Sequence, residues 1–332
     1  MIKKILKRSV ILLVVLILIS LAVAGWIGSG HLVSPPRRAL QDYHRDRLAD
    51  PASYGLVIQS YIGPGGSPCL LVEPRAGGRN AVRGREIREA LPHLPPWGEI
   101  RGLVVMLNGH GGRKEDHLPV CERFCAAGFR CLLPELPGHG DHPSTLATFG
   151  KNEAEWIEAC VDDFHDRFAM PPQPVILYGV SQGGAIALQT AARHPDRWAG
   201  VISTAAFASL DRVIQRSAAD LVPRFDGLSP LLGASVGGAA WVRAGFLPSD
   251  ISPLNSARRL QMPVMLVHGK QDELIPYSHA EEIFAALPSG RKILRPVEGA
   301  GHSRVLATDS TRLFTEMAVF LIDATQATHS DG

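Results

Sequence analysis

The sequence predicts an α/β protein built on one doubly wound, mostly parallel sheet, with a cap insertion and a membrane-inserting helix in front. Three observations predict it. Eight short apolar runs recur along the chain, several of them continuous rather than alternating, as strands buried on both faces of a parallel sheet require. Helix-like segments separate most of these runs, which implies right-handed βαβ units whose ligands bind beyond the carboxyl ends of the strands. Finally, an almost unbroken apolar run, Val10 to Ile27, follows a basic start.

That first segment opens with Lys3, Lys4, Lys7 and Arg8. The run behind them just reaches spanning length and has no polar face, so it reads as a transmembrane anchor. Ala22-Val23-Ala24 has the small-x-small form of a cleavage site, so a secretory signal segment stays open beside it. Keeping the basic tail in the cytoplasm is the easier topology, which places the remaining chain outside, either anchored or secreted. Residues 1–30 are thus an anchor or signal segment. Residues 31–53 are expected as a linker, since "GSGHLVSPPRR" breaks every periodicity with glycine, serine and two prolines.

One domain is expected over 54–332, long enough at 45% apolar residues to bury an enzyme core. Its strands are expected in "LVIQSYI", "CLLVEP", "GLVVMLNG", "FRCLLPEL", "PVILYGV", "WAGVISTAAF", "MPVMLVHG" and "RKILRPVEGA". Residues 75–99, rich in Gly, Pro and Arg, read as a surface insertion. Asn152 with Glu155 resembles a capping pair ahead of Ile157, Val161, Phe164 and Phe168 at helical spacing, and Ser278 with Glu281 forms an S-x-x-E box before a second helix. Residues 208–252 fit the alternation poorly and are expected to cap the strand ends. Their Leu221, Phe225, Leu228, Leu231, Leu232, Trp241, Phe246 and Leu247 offer apolar surface for an acyl pocket, or for packing the cap down.

The net charge of +2, with no basic stripe interleaved with aromatics, argues against nucleic acid as a partner. Five cysteines leave at least one unpaired in a monomer and form no C-x-x-C zinc pattern; buried thiols are the default, with one unassignable disulfide open.

The chemistry centres on Gly179-Val180-Ser181-Gln182-Gly183. This G-x-S-x-G follows the strand "PVILY" and opens the helix "GGAIALQTAARH", the strand-turn-helix setting of a nucleophile elbow. Gly179 and Gly183 permit a turn tight enough to strain Ser181 and point its hydroxyl off the sheet. A serine needs a base oriented by a carboxylate. Asp272, just after the strand "PVMLV", and His302, on a glycine-rich loop after "KILRPV", follow in the order Ser, Asp, His. Glu273 competes with Asp272 but sits farther from the strand end. The oxyanion would be held by the peptide N–H groups of Gln182 and of His110, the latter in "LNGHGG".

Taken together, "LNGHGG", "PELPGHGDH", "YGVSQGG", "HGKQDELIP" and "GAGHSR" resemble the α/β-hydrolase fold superfamily in its own order, from about Tyr54 to the C-terminus. The flanking segments look most like its esterase, lysophospholipase and prolyl-oligopeptidase-like branches. Asn108 departs from the histidine that many relatives carry in the oxyanion loop, but the donor N–H lies one step beyond it. The resemblance implies hydrolysis of carboxylic esters through an acyl-enzyme on Ser181. The apolar cap composition, together with an anchor at the membrane surface, favours apolar acyl esters or lipids as small-molecule substrates. Two readings compete: a serine peptidase or amidase with the same residues, and a non-catalytic scaffold. His110, His117, His139 and His142, with Asp116 and Asp141, raise a metal alternative but lack compact ligand spacing, so no metal is assigned. No organic cofactor is implied, and the sequence says nothing of oligomeric state.

Overall fold

The structure is a computed structural model and describes residues 2–75, 81–223, 227–288 and 290–330. Its strands are β1 Leu56–Ile62, β2 Pro68–Pro74, β3 Gly102–Leu107, β4 Phe129–Pro134, β5 Val175–Val180, β6 Gly200–Thr204, β7 Val264–Gly269 and β8 Lys292–Val297. All eight fall in the apolar runs that predict them. They form one sheet in the order β1-β2-β4-β3-β5-β6-β7-β8, antiparallel at the β1/β2 and β2/β4 pairs and parallel elsewhere. From β3 the chain passes to β4 on one side and later to β5 on the other. This reversal opens a crevice at the carboxyl ends of β3 and β5, where ligands of such sheets bind.

The helices are α1 Ile2–Val33, α2 Asp42–Ala49, α3 Val82–Ala90, α4 Leu118–Ala126, α5 Glu153–Phe168, α6 Gln182–Arg193, α7 Leu210–Leu221, α8 Ser229–Ala244, α9 Pro253–Ala257, α10 Ser278–Ala286 and α11 Ser310–Ser330. Strand alternation sends Leu103, Val105 and Leu107 to one face and Val104 and Met106 to the other. The first set packs with Ile157, Val161 and Phe164 of α5 and Ile186 of α6; the second packs with Phe124 of α4 and Met317 and Leu321 of α11. The inner strands are therefore buried on both faces, which is why they are continuously apolar, whereas the edge strands β1 and β8 are mostly exposed or half-buried.

The structure departs from four sequence expectations. Residues 31–53 are not a plain linker: α1 runs on to Val33, which is fully buried in the core, and α2 occupies Asp42–Ala49. A broken hydrophobic period hid this short helix, whose buried residues are the polar His44 and Arg47. The segment 75–99 is more than surface, since α3 buries Ile87 against the core; its residues 76–80 lie outside the described residues. Neither expected capping pair bonds its helix. At α5 the work is done by Thr148 and Glu153, the Glu153 carboxylate accepting from the Thr148 N–H at 2.5 Å and the Gly150 N–H at 2.8 Å. All five cysteines are buried as free thiols.

The N-terminal helix α1 is long and apolar enough to cross a membrane. Its two halves differ. Residues Lys3 to Ser20 are exposed, whereas Gly25, Ser29 and Val33 are buried. This second half lies along the cap helix α8: the Ser235 hydroxyl donates to the Leu21 carbonyl at 2.8 Å, and the Arg243 guanidinium stands 3.7 Å from the centre of the Trp26 ring. A side chain at position 25 would put its Cβ 2.1 Å from the Ser235 Oγ, so glycine allows the two helices to touch. In the cap, Leu232 and Phe246 turn inward, while Leu221, Leu231, Trp241 and Leu247 are exposed and Leu228 is half-buried. Phe225 lies outside the described residues.

Candidate active site

The carboxyl end of β5 turns into α6 within one residue, and that residue is Ser181. Its backbone sits at φ 55° and ψ −116°, in a region where a side chain is strained. The N–H of Ser181 donates to the Thr204 carbonyl at 2.7 Å, holding the turn to β6. Sterics explain both flanking glycines. A Cβ on Gly179 would lie 2.1 Å from the Gly183 carbonyl oxygen, and one on Gly183 would lie 2.0 Å from that of Leu107. Neither neighbour is a side chain that could move away.

Two distant loops meet this serine. The His302 Nε2 lies 3.0 Å from the Ser181 Oγ, and its Nδ1 lies 2.7 Å from the Asp272 Oδ2. Because the carboxylate only accepts, Nδ1 carries the proton and Nε2 is free to accept from the serine hydroxyl. Asp272 follows β7, and its side chain is wholly buried. Burial alone would raise its pKa. Hydrogen bonds from His268, His302 and the Ile275 N–H outweigh that and hold the carboxyl well below the usual carboxylate range. Glu273, the competitor, points to solvent.

His268 was not singled out from the sequence. Its Nε2–H donates to the Ile275 carbonyl at 2.7 Å and stands 3.3 Å from the Asp272 Oδ2, so it braces the same carboxylate oxygen that His302 meets. The signal was present: a histidine ending a fully apolar strand, four residues before the aspartate, is a buried polar group that needs a partner.

The oxyanion loop after β3 lies beside the serine. A Cβ on Gly109 would come 3.5 Å from that of Ser181. Asn108 is buried, and its amide donates to the Gly109 carbonyl at 3.1 Å, so the residue that departs from the family pattern still tethers the loop. Gln182 is buried at the first position of α6. The cleft over Ser181 has a volume of about 330 Å³ and is lined by Asn108, Gly109, His110, His302 and Leu306. It also takes Arg38, Tyr43 and Asp116 into its wall; the residues named for an acyl pocket in the cap are not part of this lining. A larger apolar groove of about 550 Å³ lies between α11 and the amino ends of β7 and β8, away from this chemistry.

The last turn of α1 and the segment after it are strapped across these loops. The Leu32 carbonyl accepts from His110 at 2.8 Å and the Val33 carbonyl from the Ala147 N–H at 2.8 Å. Asp116 gathers Arg38 at 3.2 Å, the Tyr43 hydroxyl at 3.2 Å and the His44 Nε2 at 3.0 Å. The metal alternative meets the same partners: His110 and Asp116 are engaged by the strap, Asp141 pairs with Arg113 at 2.7 Å, and the His142 Nδ1 accepts from the Ser144 N–H. Burial lowers His117 and His139 to about 4, so both are neutral. Among the described residues no group of three or more His, Cys, Asp or Glu could hold a metal ion.

A strained serine at a strand-to-helix turn, at the switch point of a mostly parallel sheet and within reach of a carboxylate-bound histidine, defines a serine-hydrolase-type site on the α/β-hydrolase fold. The chain belongs to the alpha/beta hydrolase family, whose model matches residues 104–315. It is 24% identical over 232 residues to the thermostable monoacylglycerol lipase of Bacillus sp. (strain H-257), covering 65% of this chain and 89% of the lipase. In structure it is similar to the Pyrococcus furiosus esterase Pf2001, with TM-score 0.62 and 15% identity over 86% of this chain and 96% of the other. A membrane phospholipase A described as a bacterial virulence factor is matched at TM-score 0.54 and 17% identity, over 96% and 99% of the two chains. The protein is an esterase or lipase of the serine-hydrolase type, acting on carboxylic esters.

Proposed function

We propose that Ser181, His302 and Asp272 are the catalytic residues, that the peptide N–H groups of His110 and Gln182 hold the oxyanion, and that the substrates are apolar acyl esters or lipids met at a membrane. The observation that carries this reading is the unbroken hydrogen-bonded series Ser181–His302–Asp272, ending on a carboxylate kept ionised. Ser181 Oγ attacks the ester carbonyl carbon while its proton passes to His302 Nε2, and the carbonyl π pair becomes the oxyanion. Collapse expels the alkoxide, which takes the proton back from His302. Water, deprotonated by the same nitrogen, then attacks the acyl-enzyme and releases the acid and Ser181. Asp272 fixes the tautomer throughout and stabilises the imidazolium.

The apolar α1 supports a membrane anchor with the catalytic domain outside the cytoplasm. Retention rather than cleavage is supported by its packed second half: Ser235 reaches Leu21, on the far side of the Ala22-Val23-Ala24 signal. The lipase and phospholipase relatives support lipid esters as substrates.

The test is a fluorophosphonate probe on the full-length protein in detergent, read by intact mass for wild type and Ser181→Ala. Labelling of wild type alone is expected. A folded wild type that takes no label would refute the mechanism. Esters of graded acyl length then test the substrate class, and equal kcat/KM for acetate and octanoate would refute it.

A further inference from the structure

His110 has a side chain as well as a peptide N–H, and the mechanism above uses only the latter. The ring is held on two sides. It stacks on Phe149, centroids 5.6 Å apart and planes 22° from parallel, and its Nε2 meets the Leu32 carbonyl at 2.8 Å. A carbonyl only accepts, so Nε2 carries the proton. The acceptor is one of the last carbonyls of α1, a group that has no partner within its own helix and carries the negative end of the helix dipole. The neighbouring Val33 carbonyl is taken by Ala147 N–H, from the loop that carries Phe149. The end of α1 thus grips both loops that hold the ring, and α1 is itself pressed on α8 at Gly25 and Gly28.

We propose that the His110 imidazole is a positioning group for the oxyanion loop, with the Leu32 carbonyl as its fixed partner, so that seating of the N-terminal helix on the cap sets the geometry of the oxyanion hole. This rests on the reading of His110 N–H as an oxyanion donor. The loop around it is glycine-rich (Gly109, Gly111, Gly112), with Gly111 at φ 69°, and such a backbone needs an external hold to keep an N–H aimed. The ring provides that hold at the very residue whose N–H matters. A hydrogen bond donated by the side chain, rather than ring shape, is what the position requires.

The experiment uses the full-length protein in detergent micelles, with His110→Gln, which can still donate to Leu32, His110→Phe, which can stack but not donate, Gly25→Ala, which forces α1 off Ser235, and the double variant Gly25→Ala/His110→Phe. Fluorophosphonate labelling, kcat, KM and inhibition by an alkyl trifluoromethyl ketone are measured for each. The ketone is attacked by Ser181 and places its oxyanion in the hole. Removing an oxyanion donor outright costs about 10²–10³ in kcat, so a misaimed one in His110→Phe is expected to cost about 10–100-fold. KM should hold within about twofold, ketone inhibition should weaken in parallel with kcat, and His110→Gln should recover most of the loss. Gly25→Ala should lower kcat in the wild-type background and add little to His110→Phe, since both break one link. The proposal is overturned if His110→Gln and His110→Phe behave alike, if the loss falls on KM with ketone inhibition unchanged, or if the two single losses multiply. Labelled protein with the wrong pattern refutes this inference alone; a folded wild type that takes no label refutes the mechanism beneath it as well.

Discussion

Two walls of the catalytic cleft are built in opposite ways. The turn at residues 179–184 is local in its sequence signal: strand, glycine, serine and helix follow one another. Of its two tightest contacts one, Gly179 on Gly183, lies within the turn, while the other, Gly183 on Leu107, is to the backbone of the neighbouring strand. The strap from Leu32 to Arg47 is assembled from long-range bonds, with Leu32 on His110, Arg37 donating to the Ser144 carbonyl at 2.7 Å, Arg38 and Tyr43 on Asp116, and Arg47 on Glu122 at 2.7 Å. The first wall is fixed by sterics and the second by long-range hydrogen bonds and paired charge. Sterics leave a signature in consecutive residues, and charge pairing across 75 positions does not.

The largest effect that can test this contrast is on the local wall. Ser181→Ala should lower kcat for a short nitrophenyl ester on the order of 10⁶-fold with the fold intact, as for removal of a nucleophile that acts as a unit with its base. Residual turnover within tenfold of wild type would move the chemistry elsewhere. On the strap, Arg47→Ala leaves Glu122 buried without its closest charge partner and should cost about 3–5 kcal/mol in denaturant unfolding. A loss below about 1 kcal/mol would mean that the strap is laid on the domain rather than built into it. Gly183→Ala drives a Cβ into the Leu107 backbone oxygen and should destabilise by about 3 kcal/mol, at the severe end of overpacking.

Acid sharpens the contrast, because none of the buried histidines lies in the turn and three of them lie in the segments 110–117 and 139–147 that the strap bonds. His117, His139 and His142 are lowered by burial to about 4, against 6.5 in an unfolded chain. The unfolded state therefore binds protons first. The contribution of these neutral rings is complete above the unfolded value and is lost as pH falls from 6.5 towards 4. Denaturation midpoints at constant ionic strength should fall across that window, and a midpoint flat between about pH 6.5 and 4.5 would contradict the assignment. The smallest effect is Arg45→Ala, whose partner Asp42 lies in solvent one turn away; it should cost less than about 0.5 kcal/mol.

The same contrast explains what the sequence made legible. The inner strands were readable because burial on both faces demands continuous apolar runs, and the edge strands β1 and β8 were readable as short apolar-rich runs despite their exposed residues. Ser181, Asp272 and His302 were readable because each lies within five residues after such a run. His302 does lie within hydrogen-bond distance of both Ser181 and Asp272. The α2 helix escaped because its inward face is His44 and Arg47, polar residues whose partners Asp116 and Glu122 are remote in sequence. Arg38 and Tyr43 in the cleft wall escaped for that reason too. The capping pairs misled because residue type alone does not say which of several nearby acceptors the first N–H groups will meet: at α5 Glu153, not Glu155, faces back into the turn.

The length of α1 has a kinetic consequence. Its 32 residues span about 48 Å, and the cleft hangs from its last turn, twelve residues, or about 18 Å, beyond the exposed half that ends at Ser20. For such a helix seated in a bilayer by its exposed half, that rise clears the headgroup layer, about 5–8 Å deep on one side, by roughly 10 Å. An ester would then reach Ser181 by lateral diffusion and a lift of about that height rather than by a search through bulk water. Turnover would follow the mole fraction of ester in the surface, so added inert lipid would slow the enzyme at constant bulk substrate, and severing the helix would restore ordinary dependence on volume concentration.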